Sequence, residues 1–376
     1  MKYKFSRYMR YFAAFMLFAA IAVSASLSAL GASATQGADI LCFGQRFGSD
    51  SFLASRNSYA GLEVLCGGMP FGVKFSTDGV LIVGFCDVES GGKHCNPAKD
   101  AGLRARDIIK KIDGKALSDA QQLTDIIEKS DGKGVNITYL RNGEERTATL
   151  TPVFCESEGR YKTGIWVRDS GAGIGTVTFI IPETKHFGGL GHGICDSDTG
   201  ELIGMKSGSV LDVTVSGLVR GQVGTPGEIK GYFKPGKIGT LLSNTSCGVY
   251  GVFDSIPATA SGKTIKIGYR NEIKPGKATI RCTLDSGEMD EYEIEISDIN
   301  IASNSSKCFA VKVTDKRLLD ISGGIIQGMS GSPIIQNGKL VGAITHVLIN
   351  DPTMGYGIFI ENMLNAAQNQ VMPKAA

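Results

Sequence analysis

The chain has 376 residues, which is enough for two or three domains. It is 42% hydrophobic and carries a formal net charge of only +2, so its composition is that of a globular protein and gives no case for nucleic-acid binding. Its 50 glycines and single tryptophan suit a protein rich in turns and strands.

The N-terminus has the pattern of an export signal. Four basic residues stand within the first ten positions, an apolar run follows over residues 11–23, and small residues continue to Ala34. Ala32-Ser33-Ala34 offers a small-x-small cleavage site, although the segment could also stay as a membrane anchor with its N-terminus inside the cell. We therefore assign residues 1–34 to an export signal or membrane anchor.

Nine cysteines are present, and no two of them form a C-x-x-C pair. A zinc ribbon or a thioredoxin-like redox site is therefore not expected. Disulfides are common in exported proteins, but these spacings define no framework, and a free cysteine in an apolar strand packs as a small hydrophobe. His94 lies beside Cys95 without further ligands, so we expect no metal and no other cofactor.

Residues 61–153 have the pattern of a small α/β domain. A turn that leads into a strand is predicted over Met69–Phe75, and Ser118-x-x-Gln121 is a capping box that opens a helix. An Asn-Gly turn between two strands then closes the domain as a hairpin. The stretch between Asn96 and Gly114 resembles the PDZ domains of bacterial exported proteases.

The chemistry of a PDZ domain is the addition of an extended peptide as a strand to its sheet. We predict that such a peptide lies beside Gly72–Phe75, with its terminal carboxylate on the amides of the preceding turn. A segment of this chain itself is one candidate for the peptide. The predicted peptide-binding residues are Pro70, Phe71, Gly72 and Val73. The alternative is a small domain that serves only as a spacer.

Strands and glycine turns dominate the chain from residue 154 onward. Eight apolar segments have the length and composition of strands, namely 175–181, 249–254, 264–269, 278–284, 290–296, 308–313, 333–336 and 339–345. This density of strands, with few helices, predicts a pair of β-barrels over residues 154–376.

A glycine-framed serine stands near the C-terminus, in Gly328-Met329-Ser330-Gly331. An apolar strand, an Asn-Gly turn and a second apolar strand follow it, which is the order that a chymotrypsin-like serine protease needs. Gly328 lets the backbone turn so that the amides of Gly328 and Ser330 form an oxyanion hole. The alternative is an ordinary glycine-rich hairpin with an incidental serine.

A nucleophilic serine needs a base, and the chain has only four histidines. His192 is flanked by glycines just after an apolar strand, so a loop can bring it close to Ser330. His186 has a surface context. His346 ends the strand after the nucleophile, where we expect a hydrogen-bonded strand-end histidine, and the alternative is that it lines the substrate pocket. A solvent-bonded turn histidine is the alternative reading of His192.

Several segments together resemble the stage IV sporulation protein B peptidases of endospore-forming bacteria. They are Gly189–His192, Lys312–Asp315, Gln327–Pro333 and Thr345–Gly357. The resemblance implies a catalytic triad of His192, Asp315 and Ser330.

The acid of that triad has competing interpretations. The alternative for Asp315 is a helix N-cap or a salt-bridged surface carboxylate. Asp196, Asp198 and Asp351 are rivals for the place beside the imidazole.

The resemblance also implies the function. It implies a self-processing serine endopeptidase, exported into the space between forespore and mother-cell membranes, that signals between the two compartments by cleaving a protein in a membrane-associated complex. Self-cleavage is expected in the linker over residues 35–60. A different class of function is a non-catalytic PDZ scaffold or a chaperone-like binder of exported proteins. The predicted fold is mainly β: an N-terminal signal or anchor, a PDZ domain and a chymotrypsin-like double β-barrel.

Overall fold

The computed structural model describes Tyr59 and residues 61–260, 262–284 and 287–368. The predicted export signal and all of the predicted linker except Tyr59 lie outside the described residues. Within the described part, no helix combines the length and apolar character needed to cross a membrane. The eight described cysteines are all free thiols.

The chain is built mainly from strands, which appear in this order: β1 (Glu63–Cys66), β2 (Pro70–Phe85), β3 (Val88–Ser90), β4 (Lys93–Cys95), β5 (Ile108–Ile112), β6 (Lys115–Ala116), β7 (Val135–Arg141), β8 (Glu144–Leu150), β9 (Val153–Cys155), β10 (Arg160–Lys162), β11 (Ile165–Ile180), β12 (His186–Gly189), β13 (Met205–Val219), β14 (Glu228–Thr245), β15 (Gly248–Phe253), β16 (Thr264–Ile267), β17 (Gly276–Thr283), β18 (Met289–Ser297), β19 (Phe309–Val313), β20 (Pro333–Gln336), β21 (Lys339–Leu348) and β22 (Asp351–Phe359). The helices are α1 (Pro97–Asp100), α2 (Ala120–Lys129), α3 (Lys316–Ser322) and α4 (Ile360–Gln368), with a short 3₁₀ turn at Ala258–Ala260.

Six antiparallel strands close the first barrel, which we call barrel 1. The pairing runs β2–β11–β12–β15–β14–β13 and returns to β2. Its core contains Phe71, Phe187 and Phe253, whose rings contact one another in sequence at centroid distances of 5.4 and 4.5 Å. Burial of these large aromatic rings contributes to the stability of this barrel.

Six further antiparallel strands close barrel 2, in the order β17–β18–β19–β22–β21–β20 and back to β17. Strand β18 shows why these residues form a barrel wall. Tyr292, Ile294 and Ile296 face the core, and the glutamates between them face solvent. This alternation is the period of a half-buried strand. The two closed barrels confirm the predicted mainly β, chymotrypsin-like architecture.

A short sheet joins the two barrels. Strand β1 pairs with β11 of barrel 1 on one side and with β16 on the other, and β16 pairs in parallel with β21 of barrel 2. Helix α4 packs its apolar face, including Met363 and Leu364, into the core of barrel 2.

The PDZ domain lies between β2 and β11. Its core contains Val80, Ile109 and Ile137, and Leu123 and Ile127 of α2 pack against them. Asp119 caps α2 by accepting a hydrogen bond from the Gln122 amide at 2.7 Å. The capping pair is therefore Asp119 and Gln122, one position later than the predicted box, because the backbone turns into the helix after Asp119.

Two strands continue from barrel 1 into the PDZ domain without a break, so the two parts of the chain meet within β2 and β11 and not at the ends of the predicted domain, residues 61 and 153. The first half of β2 pairs with both β11 and β13 inside barrel 1, and its second half pairs with β5 and β11 in the PDZ domain. Residues 70–76 therefore lie in barrel 1. The PDZ domain is an insertion within barrel 1, which no change in composition marks along the chain.

Candidate active site

The loop that carries Ser330 is held between the two barrels. Thr176 of β11 donates from its amide to the Ser330 carbonyl at 2.9 Å and from its hydroxyl to the Gly328 carbonyl at 2.8 Å. On the other side, the Gly331 amide donates to the Ile344 carbonyl at 2.8 Å. Both glycines have positive φ, +99° at Gly328 and +96° at Gly331, where residues with a side chain are strained.

The two serines of this loop have different surroundings. The Ser330 hydroxyl is partly exposed and donates to the Thr345 carbonyl at 2.8 Å. Ser332 is fully buried, and its hydroxyl oxygen has no hydrogen-bond partner among the described residues. Of the two, only Ser330 presents its oxygen where a substrate could reach it.

Two amides of the loop are available for an oxyanion. The amides of Gln327, Met329 and Gly331 all donate to protein carbonyls. Among the hydrogen bonds of the described residues, the amides of Gly328 and Ser330 have no protein acceptor. These are the two donors that the sequence predicts for the oxyanion hole, and a tetrahedral intermediate on Ser330 would satisfy them.

His192 follows strand β12 in a tight loop, in which Leu190 and Gly191 both have positive φ. Its Nδ1 lies 2.9 Å from the Gly193 carbonyl oxygen. A carbonyl only accepts, so this contact places the proton on Nδ1 and leaves the Nε2 lone pair free to take a proton. Burial lowers the pKa of His192, while the hydrogen bond to Gly193 acts in the opposite direction. The imidazole is therefore neutral at pH 7, as a general base must be.

His192 and Ser330 each contact one residue of the dipeptide Thr345–His346 in β21. The Ser330 hydroxyl contacts the Thr345 carbonyl, and the ring of His346 lies 5.0 Å from the ring of His192 between centroids. Thr176 links the two loops a second time, because its carbonyl accepts from the Leu190 amide at 3.2 Å. These contacts link the loop of the predicted nucleophile to the loop of the predicted base, and the contacts of the described residues include no hydrogen bond between Ser330 and His192.

Asp315 has its contacts elsewhere. It is the N-cap of α3, and its Oδ1 accepts from the Arg317 amide at 2.9 Å. Its Oδ2 accepts from the Glu293 amide at 3.2 Å and from the Arg317 guanidinium at 2.8 Å. The hydrogen bond from Arg317 is the main reason that the pKa of Asp315 is lowered. In the described conformation Asp315 makes no hydrogen bond with His192, and it has the capping and ion-pair contacts of the alternative interpretation.

The three rival carboxylates are also engaged away from the imidazole. Asp196 is buried and accepts hydrogen bonds from Arg168 and from Thr199. Asp198 pairs with Arg168 at 3.0 Å, and Asp351 accepts from Thr353. Among the described residues, the Gly193 carbonyl is thus the hydrogen-bond partner of the His192 Nδ1.

His346 lies within β21, two residues before the strand ends, and its ring lies beside that of His192. Its Nδ1 is buried without a hydrogen-bond partner among the described residues. Burial, with smaller contributions from His192 and Lys307, lowers its pKa to about 4. Thr176 was not identified from the sequence, because a threonine in an apolar strand has no feature that marks it as a support of a distant loop.

The predicted peptide-binding residues of the PDZ domain lie inside barrel 1. Phe71 is a core residue, and Gly72 pairs with Ile174 on one side and with Leu211 on the other. Both edges of this strand are occupied, so the prediction that a peptide adds beside Gly72–Phe75 is wrong. The pattern Pro70–Val73 resembles a PDZ turn, but β11 and β13 complete its pairing.

No group of three or more histidine, cysteine or carboxylate side chains in the described part of the chain could hold a metal ion. The arrangement of Ser330, His192 and two free amides is suited to acyl transfer by a serine nucleophile.

Comparison with known families assigns both parts of the chain. Residues 159–364 match the family described as SpoIVB peptidase S55, and residues 71–151 match the PDZ domain. Two curated proteins described as zinc metalloproteases are similar over short stretches. A protein of Neisseria meningitidis is 34% identical over 65 residues, and one of Thermotoga maritima is 36% identical over 74 residues. These stretches cover 17% and 20% of this chain, and the chain spans only 15% and 14% of those proteins.

Solved structures are similar to separate parts of the chain. The PDZ domain of an SdrC-like protein from Listeria monocytogenes is 28% identical and covers 24% of this chain and 87% of its own, with a TM-score of 0.20. The Rv3671c protease of M. tuberculosis in its active form is 12% identical and covers 55% of this chain and 77% of its own, with a TM-score of 0.32.

Proposed function

Because this chain belongs to the SpoIVB peptidase S55 family, we propose that it is an exported, self-processing serine endopeptidase that acts in intercompartmental signalling during endospore formation. Ser330 is the nucleophile, His192 is the general base, and the amides of Gly328 and Ser330 form the oxyanion hole. The observation that carries the proposal is the convergence of the Ser330 hydroxyl and the His192 ring on Thr345–His346, next to two amides without acceptors.

The reaction begins with a change of hydrogen-bond partner. The Ser330 hydroxyl leaves the Thr345 carbonyl and donates to Nε2 of His192, which takes the proton as the oxygen attacks the scissile carbonyl. The oxyanion that forms accepts from the amides of Gly328 and Ser330. His192 then gives its proton to the leaving amine. In the second half-reaction His192 takes a proton from a water molecule as that water attacks the acyl-enzyme, and it returns the proton to the Ser330 oxygen as the acid product leaves. The Gly193 carbonyl holds the imidazole in the tautomer that these steps need.

The third member of the triad rests on the sequence resemblance. For Asp315 to reach the imidazole, its carboxylate must give up Arg317, the Glu293 amide and the cap of α3. Asp315 as the acid of the triad therefore stays a prediction. A comparison of Asp315→Asn with Asp315→Ala, described in the Discussion, separates catalysis from capping.

A peptide that binds the PDZ domain requires a different strand edge from the predicted one. The first half of β11, Ile165–Asp169, pairs with β2 alone among the described strands. Helix α2 begins close by, since the Ala120 amide donates to the Asp169 carboxylate at 2.8 Å. We propose this edge as the place where a segment of the chain itself or of a membrane-associated protein adds as a strand. The binding of that segment then sets where Ser330 acts.

Export and self-processing form one testable part of the proposal. The basic, apolar and small-residue pattern of residues 1–34 supports passage across the cell membrane into the space between the forespore and mother-cell membranes. The linker over residues 35–60 is the proposed site of self-cleavage, and a regulatory protein in a membrane-associated complex is the proposed substrate.

The test is to export the wild-type chain and Ser330→Ala side by side and to measure fragment masses. Self-processing predicts N-terminally shortened species from the wild type and none from Ser330→Ala. Identical fragment patterns would assign the cleavage to another protease. A purified wild type that binds peptides but cleaves none, with a fold like that of Ser330→Ala, would support the scaffold alternative instead.

A further inference from the structure

The connection between β13 and β14 leaves barrel 1 and crosses to barrel 2. We call residues 219–229 the crossing segment. Its Gly221 amide donates to the Ser322 carbonyl at 2.8 Å, at the end of α3. Its Gly224 amide donates to the Ile349 carbonyl at 2.9 Å, just beyond β21. The crossing segment is therefore hydrogen-bonded to one residue that precedes Ser330 in the sequence and to one that follows it.

The end of the crossing segment lies against the residue before Gly328. The Gln327 amide donates to the Gly227 carbonyl at 2.8 Å, and the Ile229 amide donates to the Gln327 carbonyl at 2.8 Å. Both backbone groups of Gln327 are thus satisfied by barrel 1, although Gln327 belongs to the nucleophile loop of barrel 2.

The side chain of Ile229 then fixes the position of Gly328 itself. Ile229 is 7% exposed and belongs to the core of barrel 2, even though it lies on a strand of barrel 1. A Cβ placed on Gly328 would lie 3.0 Å from the Ile229 Cβ, so the two residues are in direct contact. A glycine at φ +99° has little preference of its own for that conformation, and its neighbours must hold it.

We propose that Gly227 and Ile229 are positioning residues that aim the Gly328 amide at the oxyanion, an inference that rests on the proposed serine peptidase function. The oxyanion hole acts only if its donors are already oriented when the charge develops. Gly227 is required for the same reason, because a Cβ there would lie 2.5 Å from the Gly221 amide nitrogen and 2.7 Å from an Ile326 methyl group. The two ends of the crossing segment, near Gly221 and at Gly227, could not then stay in contact.

The experiment compares Ile229→Ala, Ile229→Val and Ile273→Ala in the full-length protein. Ile273 is a matched control, because it is 5% exposed in the same core and lies in the connection that precedes β17. For each variant, kcat and KM are measured with a short fluorogenic peptide. The inhibition constant of a peptide aldehyde is measured as well, since its adduct with Ser330 places an oxyanion in the hole. Thermal unfolding reports stability.

We expect Ile229→Ala to lower kcat by about 10- to 100-fold with KM within about threefold of the wild type, and to weaken the aldehyde by the same factor as kcat. Ile229→Val should lower kcat by only about two- to fivefold. Ile273→Ala should lose comparable thermal stability and keep its kcat. An Ile229→Ala variant with wild-type kcat and wild-type aldehyde affinity would overturn the proposal, as would an equal loss of kcat in Ile273→Ala.

The smaller substitution decides the question if Ile229→Ala does not fold. Ile229→Val removes one methyl group and should then show a fall of about two- to fivefold in kcat, matched by the aldehyde constant. An unchanged kcat in that variant would contradict the proposal. A failure of the proposed function would give a different result from these outcomes. The wild type would then be as inactive as Ser330→Ala, whatever residue stands at position 229.

Discussion

The two barrels have the same six-strand closure and differ in what connects their strands. In barrel 1, the PDZ domain is inserted between β2 and β11, and the β13–β14 connection reaches over to barrel 2. In barrel 2, a short turn joins β20 to β21 and another joins β21 to β22. In the proposed function, barrel 1 supplies the base and the supports of the nucleophile loop, while barrel 2 supplies the nucleophile. The closed strands build the scaffold, and the connections determine its function.

The largest expected effect separates the two serines of barrel 2. Ser330→Ala should lower kcat by about ten-thousandfold or more without unfolding the protein, because it removes the attacking oxygen. Ser332→Ala should change kcat by less than about threefold and raise the free energy of unfolding by about 1 kcal/mol, since a buried hydroxyl without a partner is costly. Steady-state kinetics and denaturant titration of both variants provide the measurement. Equal losses of activity would show that the roles of the two serines are misassigned.

The protonation state of His192 predicts how the activity depends on pH. His192 must be neutral to accept the Ser330 proton, and burial lowers its pKa below the ordinary 6.5. Activity should therefore hold from neutral pH down through 6.5 and be lost only as the pH falls through the lowered pKa. His346 has a pKa of about 4 and should titrate near that pH. A pH profile of kcat/KM with its acid midpoint above 7 would contradict the assignment of His192 as an imidazole with a lowered pKa.

Substitutions of Asp315 test whether its carboxylate takes part in catalysis or only caps α3. Asparagine is a good helix N-cap, but it cannot stabilise an imidazolium. If Asp315 served only as the cap of α3, Asp315→Asn would stay close to the wild type in stability and activity, and Asp315→Ala would lose about 0.5–2 kcal/mol of stability. The ion pair with Arg317 should add little, because the Arg317 side chain is 60% exposed.

The sequence resemblance, which makes Asp315 the acid of the triad, predicts a large loss of activity in Asp315→Asn with little change in stability. An Asp315→Asn variant that unfolds like the wild type but has lost activity by orders of magnitude would show that the carboxylate serves the imidazole. The sequence resemblance would then be right about the triad, and the site would need a rearrangement of α3 to reach its active form.

A smaller effect tests the continuity of β2 between barrel 1 and the PDZ domain. A Cβ on Gly72, in the barrel half, would lie 2.7 Å from the Phe233 ring, whereas a Cβ on Gly84, in the PDZ half, has its nearest neighbour at 4.0 Å. We expect Gly72→Ala to lower the free energy of unfolding by about 1–3 kcal/mol through overpacking. Gly84→Ala should change it by less than about 0.5 kcal/mol. Denaturant titration measures both, and a Gly72→Ala variant as stable as the wild type would place Gly72 outside the barrel.

Local patterns in the sequence were sufficient to predict the strands, the double barrel, the serine loop and the histidine loop. Alternation in β18 and the glycines around Ser330 act over a few residues, so the sequence shows them directly. The insertion of the PDZ domain could not be predicted in this way. Pro70–Val73 has a PDZ-like local pattern, and only pairing with the distant strands β11 and β13 shows that it lies in barrel 1.

The supports of the site were missed for the same reason. Thr176 and Ile229 reach the nucleophile loop from barrel 1 through tertiary contacts, and neither has an unusual sequence context. Asp315 is the opposite case. Its local sequence predicts a helix N-cap, and the described contacts support that local prediction.

The central claim is that Ser330 and His192 act as one catalytic pair, and covalent labelling tests it most directly. The protein is treated with a fluorophosphonate, digested and analysed by mass spectrometry, with His192→Ala as the matched control. The pair predicts a single adduct on Ser330 in the wild type and a labelling rate at least about a hundredfold lower in His192→Ala, because the base activates the hydroxyl. Labelling of another serine, or an equal rate in His192→Ala, would contradict the claim.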